Sequence, residues 1–418
     1  MGDGSYVRAP DAQSPSIAPV VVPYLPQSAF ARRARAVMAL QPQEGEHAGA
    51  CRYSFRYDAL QVNSTLPDDW ARLMAKVAPY VKSGYPPIQG LAGLRAEIAL
   101  HVRLSRGIDC HAEDVLVVNG ARQAYSLATR VILDTGESAA VEDPHYFGIR
   151  RVLEAEGVHV LGVPVDDGGM VVEALEGQHA KAIFVMPSHQ FPIGSILAFS
   201  RRAALIAYAH RRQAWIVEDD FGGEFRHGEP GTRALYSLDR GARVVYIGSF
   251  SRTLFPAMRL GYILMPRALR DDFIAAKALL DFGVSPYEQE ALAELISSGA
   301  YARHIRACTA VLADRRLRLR QALASRSFSG MRLEGRNAGM HLVGWLDGVD
   351  EKDVQRIVAI AAGRGLSVHS ISPFYLRAPR HQALMLGFGC LHAAEIPAAT
   401  AILADCLSSA SKRLSGSR

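Results

Sequence analysis

From Trp70 onward the chain alternates apolar runs of four to six residues with amphipathic stretches of helical period. Runs rich in Val and Ile that stop at Gly, Pro, Asp or Ser are the pattern of strands buried on both faces. The pattern predicts strands at Val115–Val118, Ser138–Glu142, His159–Val163, Ala182–Met186, Ala214–Glu218, Arg243–Ile247 and Leu260–Met265. Between them it predicts helices at Arg122–Leu133, Phe147–Glu156 and Arg201–Arg211. Strands separated by helices imply a mostly parallel sheet covered by those helices. Ahead of this region, residues 1–50 are rich in Pro, Ala, Ser and Gln and read as an arm with one short helix near Ala29–Leu40. Behind it, repeated Arg and Ala suit one long helix from Pro286 to about Ser325. The last stretch mixes strands at His341–Trp345 and Ala383–Gly387 with helices at Glu351–Gly363 and Ala393–Leu407. The expected organisation is an arm (1–50), a large α/β domain with its N-terminal segment (51–300) and a smaller C-terminal α+β domain (301–418).

Composition narrows the class. A chain of 418 residues with 49% apolar and 21% charged residues has the balance of an ordinary soluble protein of two lobes. No apolar run approaches the roughly 20 residues that a membrane helix needs. Met1–Pro10 carries no export pattern, so a cytoplasmic location is expected. The five cysteines are scattered without a CxxC pair, which argues against a disulfide framework or a structural zinc, and no metal is expected. The net charge of +6 comes from arginine. Its one dense cluster, Arg32, Arg33 and Arg35, reads as a solvated face, and nucleic-acid binding is not expected.

The candidate chemistry sits where predicted strands end. In a doubly wound sheet, ligands bind outside the carboxyl ends of the strands, so these turns should face one cleft. Asn119-Gly120-Ala121-Arg122 leads from a strand into a helix, where free N–H groups can hold an anion and Gly120 permits close approach. Tyr146 follows the next strand and could stack on a planar ligand, or simply pack in the core. The turn Pro187-Ser188-His189-Gln190-Phe191-Pro192-Ile193-Gly194 is dense in polar and proline residues. Glu218-Asp219-Asp220-Phe221 places acids at a strand end, where one could hold a heterocyclic nitrogen protonated. Ser249, Ser251, Arg252 and Arg259 place two hydroxyls and two guanidinium groups within eleven residues, an oxyanion cup.

Together, "MPSHQFPIG", "IVEDDFGGEFRHG" and "YIGSFSRTLFPAMRLGYILMP" resemble the aminotransferase-like domain of MocR/GabR-type proteins, within the fold-type I pyridoxal-phosphate superfamily. The likeness runs from roughly Tyr53 to Leu407 and includes "GYPPIQGLAGLRAEIALHV". It implies a fold-type I α/β architecture. Gly120, Ala121, Arg122, Ser249, Ser251 and Arg259 would surround the cofactor phosphate. Asp219 would pair with the pyridine nitrogen, Tyr146 would stack on the ring, and Tyr85 would reach the phosphate of a neighbouring subunit in a homodimer. The family's winged-helix DNA-binding domain is not expected in the 50 residues ahead of this region, which favours a stand-alone enzyme-like protein.

Three positions depart from the pattern. The family motif ends in Ser-Lys, and this chain has Ser251-Arg252. That lysine is the Schiff-base residue and the base at the substrate carbon; a guanidinium, with a pKa above roughly 12, serves neither role. Phe221 stands where "EDDY" supplies a phenol, and Met385 stands where relatives often carry the arginine that receives a substrate carboxylate. "YPPIQG" and the Ile193 of "PIG" are smaller drifts, and Lys82 is the nearest other lysine to the cleft by sequence.

The reading that follows is an aminotransferase-like enzyme with a repurposed site. It would hold pyridoxal phosphate or pyridoxamine phosphate noncovalently, or no cofactor, and act on an amino-acid-derived or anionic small molecule. Arg252 would clamp negative charge, and His189 would be the general acid/base. Two alternatives stand beside it. One is an ordinary aminotransferase carrying an engineered lysine-to-arginine change; the other is a non-catalytic metabolite-binding or regulatory protein.

Overall fold

A computed structural model describes residues 27–39, 51–57, 60–62, 66–82, 84–228, 232–326, 331–335 and 338–415. The rest of the expected arm, 1–26 and 40–50, lies outside the described residues.

The central sheet contains β1 (Val115–Val118), β2 (Ser138–Asp143), β3 (His159–Asp166), β4 (Gly169–Met170), β5 (Ala182–Val185), β6 (Trp215–Asp219), β7 (Val244–Ser249) and β8 (Gly261–Leu264). These form one eight-stranded sheet in the order β1-β8-β7-β6-β5-β2-β3-β4. Every residue of β1, β5 and β8 is buried, which is why their sequences show unbroken apolar runs. Strands β3, β2, β5, β6 and β7 run parallel, as the strand–helix alternation predicts. Strand β8 is antiparallel to both of its neighbours, β7 and β1. This reversal matters for the site, because it brings the start of β8 to the edge where β1 and β7 end. Gly261 pairs with Val118 on one side and with Ser249 on the other.

Helices cover the sheet. Phe147–Glu156 stops at Gly157, whose φ of 82° is left-handed and whose N–H caps the last turn. The single helix expected over Pro286–Ser325 is instead two, Pro286–Ser297 and Ala300–Ala324. The break is at Gly299, whose φ of 69° turns the chain out of the helical path. The pattern of arginine and alanine continues across the break, so the sequence hides it.

The C-terminal part carries an antiparallel sheet of Met331–Glu334, His341–Leu346, Gln382–Gly387 and His369–Ser370. Helices Glu351–Gly363 and Ile396–Ser415 pack with it around Leu342, Leu384 and Leu386. The first of these helices is capped by the Asp350 side chain, which accepts from the Asp353 N–H at 2.8 Å. Near the start of the chain, Tyr53–Ser54 pairs in parallel with Leu366–Ser367. Phe55 is fully buried in this same C-terminal core, so the segment 53–57 is fixed to it.

Candidate active site

One cavity of about 310 Å³ opens where the ends of β1, β6 and β7 meet the start of β8. Two short turns bring its hydroxyl and guanidinium groups together. Gly120 has a φ of 78° and precedes the helix Ala121–Ile132. A Cβ at Gly120 would lie 2.9 Å from Nη2 of Arg259, so the guanidinium occupies the space a side chain would fill. That guanidinium donates to the Asn119 carbonyl at 3.3 Å. Arg259 itself has a φ of 51°. A Cβ at Gly261 would come within 2.8 Å of the Gly248 carbonyl oxygen and 3.2 Å of the Gly120 Cα, so this close approach of backbones requires glycine at 261. On the β7 side, the Ser251 N–H donates to Ser249 Oγ at 3.2 Å, folding the turn back on itself.

Each turn is braced from behind. Asp281 accepts from Asn119 Nδ2 at 2.8 Å and from Gln123 Nε2 at 2.6 Å, and it pairs with Lys277. Lys277 is the fully buried lysine of the described residues, and this ion pair occupies it. Asp220 accepts from the Tyr246 hydroxyl at 2.8 Å and pairs with Arg106, which also lies 3.3 Å from Glu224. Burial pushes the Glu224 carboxyl up, but Arg106 and His101 more than offset this and hold it at about 2. The turn after Ser251 is tied down by Tyr301, whose hydroxyl donates to Thr253 Oγ1 at 3.0 Å.

Asp219, 7% exposed, accepts a hydrogen bond from the Tyr125 hydroxyl. Burial lifts its carboxyl to about 7, against the downward pull of Tyr125 and Arg252. A cationic ring nitrogen beside it would return it to the ionised form by charge pairing. The Arg252 guanidinium carbon lies 5.3 Å from the centre of the Phe221 ring, within cation–π range. Its Nη1 and the hydroxyl of Ser251 are buried without a hydrogen-bond partner. Such groups cost free energy unless an acceptor meets them, and both residues line the cavity.

Of the residues singled out by sequence, Ala121, Arg122, Tyr146, Asp219, Ser249, Ser251, Arg252 and Arg259 line this one cavity, together with Phe221. Gly120 lies directly behind Arg259. His189 is not among the lining residues. It is 1% exposed, its ring is stacked with Phe221 at 6.3 Å, and Gly194, Gly222 and Gly339 crowd its other sides. Burial also drives its imidazole well below the usual range, so it is neutral. The expected acid/base role for His189 therefore has no geometric support from this cavity. Tyr85 is 87% exposed, its ring against Phe282 at 5.4 Å, and it is not among the residues that line this chain's cavity. Met385 is fully buried in its strand, and Lys82 is exposed; neither lines the cavity. Among the described residues no lysine side chain lines it, and no cluster of His, Cys, Asp and Glu is placed to hold a metal.

Two lining residues escaped the sequence reading. Tyr125 lies one helical turn beyond Ala121, so the i, i+4 spacing from the anion turn was a usable signal. Arg56 had no local signal, because its position follows from the pairing of Tyr53–Ser54 with residues more than three hundred positions later.

The groups present fit a pyridoxal phosphate: a hydroxyl- and guanidinium-lined cup for a phosphate, a buried carboxylate for a ring nitrogen and an aromatic wall. They offer no amine to attach it. The sequence pattern described as aminotransferase class I and II matches residues 56–384. The chain is 33% identical over 323 residues to a probable rhizopine catabolism regulatory protein, MocR, of Rhizobium meliloti, covering 76% of this chain and 65% of that protein. It is 32% identical over 329 residues to the pyridoxine biosynthesis transcriptional regulator PdxR of Corynebacterium glutamicum, covering 78% of this chain and 70% of that one. The match thus spans about two thirds of the length of these curated relatives, slightly less for the first. Among solved structures, the α-aminoadipate aminotransferase LysN of Thermus thermophilus superposes with a TM-score of 0.80 at 24% identity, over 92% of this chain and 97% of that one. The kynurenine aminotransferase of Pyrococcus horikoshii gives 0.78 at 22% identity, over 92% and 95%. At these identities the two structures establish the fold alone. No helix among the described residues is long and apolar enough to cross a membrane.

Proposed function

We propose, for a chain that belongs to the aminotransferase class I and II family, that its cavity holds pyridoxal phosphate or pyridoxamine phosphate without covalent attachment and presents it to an amino-acid-derived anion. The observation that carries this reading is the pair of buried, unpartnered donors, Ser251 Oγ and Arg252 Nη1, on the wall that also bears Asp219. Ser249, Ser251, Arg259 and the N–H groups after Gly120 would hold the phosphate. Asp219, steadied by Tyr125, would keep the ring nitrogen protonated. When bound, such a ring supplies an electron sink. Arg252 contributes fixed positive charge over Phe221 and stabilises negative charge on a ligand beside it, but it donates no nucleophilic amine. A cavity of about 310 Å³ is at the small end of ligand pockets, which suits the cofactor and a small substrate rather than a bulky one.

A second reading is a metabolite-sensing protein in which the same ligand is bound and not turned over. Its support is that curated relatives such as MocR and PdxR carry the names of regulators. Both readings take the protein as a homodimer. Supporting this, Tyr85, Leu279 and Phe282 expose 87%, 92% and 55% of their surface on one flank of the chain.

The test uses purified protein with added pyridoxal phosphate. The expected result is a bound absorbance that gel filtration gradually removes and that borohydride does not fix to the chain. Covalent fixation would overturn the noncovalent reading, and absence of any spectral change would overturn the cofactor. If the noncovalent complex forms, turnover of added amino acids distinguishes enzyme from sensor.

A further inference from the structure

Four guanidinium groups line the cavity, those of Arg56, Arg122, Arg252 and Arg259. Three of them are engaged: Arg259 donates to the Asn119 carbonyl at 3.3 Å, and Arg56 and Arg122 each already interact with another group. Arg252 differs, because its Nη1 is buried and meets no acceptor among the described residues. Its guanidinium carbon lies 5.3 Å from the centre of the Phe221 ring, a face that attracts the charge but supplies no oxygen to the N–H groups. A buried donor without a partner costs free energy that an acceptor on a ligand would recover. The neighbours of Arg252 restrict which acceptor that is. Ser251, next to it in the chain, belongs to the hydroxyl cup, and Asp219 lies near enough for the guanidinium to pull its carboxyl downward. With the phosphate in the cup and the ring nitrogen at Asp219, the polar groups of the ligand left for Arg252 are the 3-oxygen and the 4-substituent, on adjacent ring carbons.

We propose that Arg252 makes the cavity selective for the aldehyde form of the ligand, pyridoxal phosphate, over the amine form, pyridoxamine phosphate. This inference rests on the cofactor reading above and narrows it to one of the two forms. A guanidinium has N–H donors only and keeps its charge at any ordinary pH. In pyridoxal phosphate the 3-oxygen and the aldehyde oxygen are two acceptors side by side, which a planar fork of donors can meet together. In pyridoxamine phosphate the 4-substituent ends in an ammonium, which is also donor-only and positive and is paired with its own 3-oxygen. Beside Arg252 it would set donor against donor and charge against charge. The carboxylates of the lining do not relieve that conflict. Asp219 is taken by Tyr125 and the ring nitrogen, and Glu224 is met by Arg106 and His101. Asp220 pairs with Arg106 and accepts from Tyr246, and its other oxygen is turned onto Gly223, where a Cβ would collide with it. The chain therefore collects the aldehyde form and leaves the amine form in solution.

The test measures binding of three probes to the full chain by titration calorimetry. They are pyridoxal phosphate, pyridoxamine phosphate and pyridoxine phosphate, which carry an aldehyde, an ammonium and a neutral alcohol at the same position. The wild-type chain should prefer the aldehyde to the amine by roughly ten- to a hundredfold, the range for a charged hydrogen bond, with the alcohol between them. Arg252→Met should bring that ratio to about one, whereas a purely structural disturbance would weaken all three probes alike and leave the ratio. A wild-type chain that binds pyridoxamine phosphate as tightly as pyridoxal phosphate, or a ratio that survives Arg252→Met, overturns the selectivity while leaving the cofactor reading intact. Failure of all three probes to bind, or a pyridoxal phosphate adduct that borohydride fixes to the wild-type chain, overturns the noncovalent cofactor reading and this inference with it. The wild-type ratio is measured without any variant, so a poorly folding Arg252→Met cannot shield the idea.

Discussion

Around Gly120 the cavity wall is built from backbone that meets at van der Waals limits, with Ser249 and Ser251 from the end of β7 converging on Arg259 before β8. Around Asp219 the wall is built from long side chains, with Arg252 lying over Phe221. The first wall presents N–H groups, hydroxyls and a guanidinium, the donors that the proposed reading assigns to a phosphate. The second wall carries the acid, the second guanidinium and the ring that the proposed reading assigns to the chemistry. A phosphate cup can persist through a change of chemistry because it contributes binding to substrate and product alike.

The sharpest way to break this contrast is Arg252→Lys. It should take borohydride-fixed pyridoxyl phosphate from none to stoichiometric, read by intact mass; fixation already present in the wild type would show that some lysine reaches the cavity. Next in size is the cup. Arg259→Ala should weaken pyridoxamine phosphate roughly ten- to a hundredfold, while pyridoxamine, without the phosphate, is little affected. Equal losses for both ligands would mean that Arg259 acts on the fold and not on the anion.

A pH effect tests the second wall in the ligand-free chain. The Asp219 carboxyl is raised to about 7 from an ordinary 3.8. Between those values the folded chain holds a proton that the unfolded chain has released, so this contribution to stability is complete below 3.8 and is lost as the pH rises through about 7. Urea unfolding of wild type and Asp219→Asn at pH 5 and pH 8 should show the wild type losing about 1–3 kcal/mol relative to the variant. Glu218, which burial raises to about 7, is common to both proteins and cancels in the difference, whereas Glu142, raised to about 8 by burial and to a smaller extent by Asp219, relaxes in the variant and adds to it. A difference that is flat with pH would mean that Asp219 is ionised throughout. The smallest effect is expected of Phe221→Tyr, whose added hydroxyl should tighten pyridoxal phosphate binding between about two- and tenfold. Weakened binding would instead show that the Phe221 ring matters chiefly as the surface beneath Arg252.

Much of the cup was legible because it is local. A strand, a glycine and a helix start in immediate succession at Val118–Gly120–Ala121 were readable without reference to the rest of the chain. The strands were legible for the same reason, since burial on both faces leaves an unbroken apolar run; Val115–Val118 has the bounds its pattern predicts. His189 shows the opposite case. A histidine in a polar turn at a strand end carries the sequence signature of a catalytic group, yet three glycines and Phe221 enclose it. The break at Gly299 was hidden because amphipathic periodicity resumes on the far side of a single left-handed residue.

By itself, then, the sequence determined the fold family and the residue types available at each strand end, Arg252 among them. These follow from residue identity and short-range spacing. The tertiary structure decided which of those residues share a cavity. It set Arg259 over Gly120 because β8 runs against its neighbours, removed His189 and Met385 from the cavity by burial, and brought Arg56 to the cavity through a strand pair closed over most of the chain. Such placements depend on long-range pairing and packing, and no local pattern encodes them.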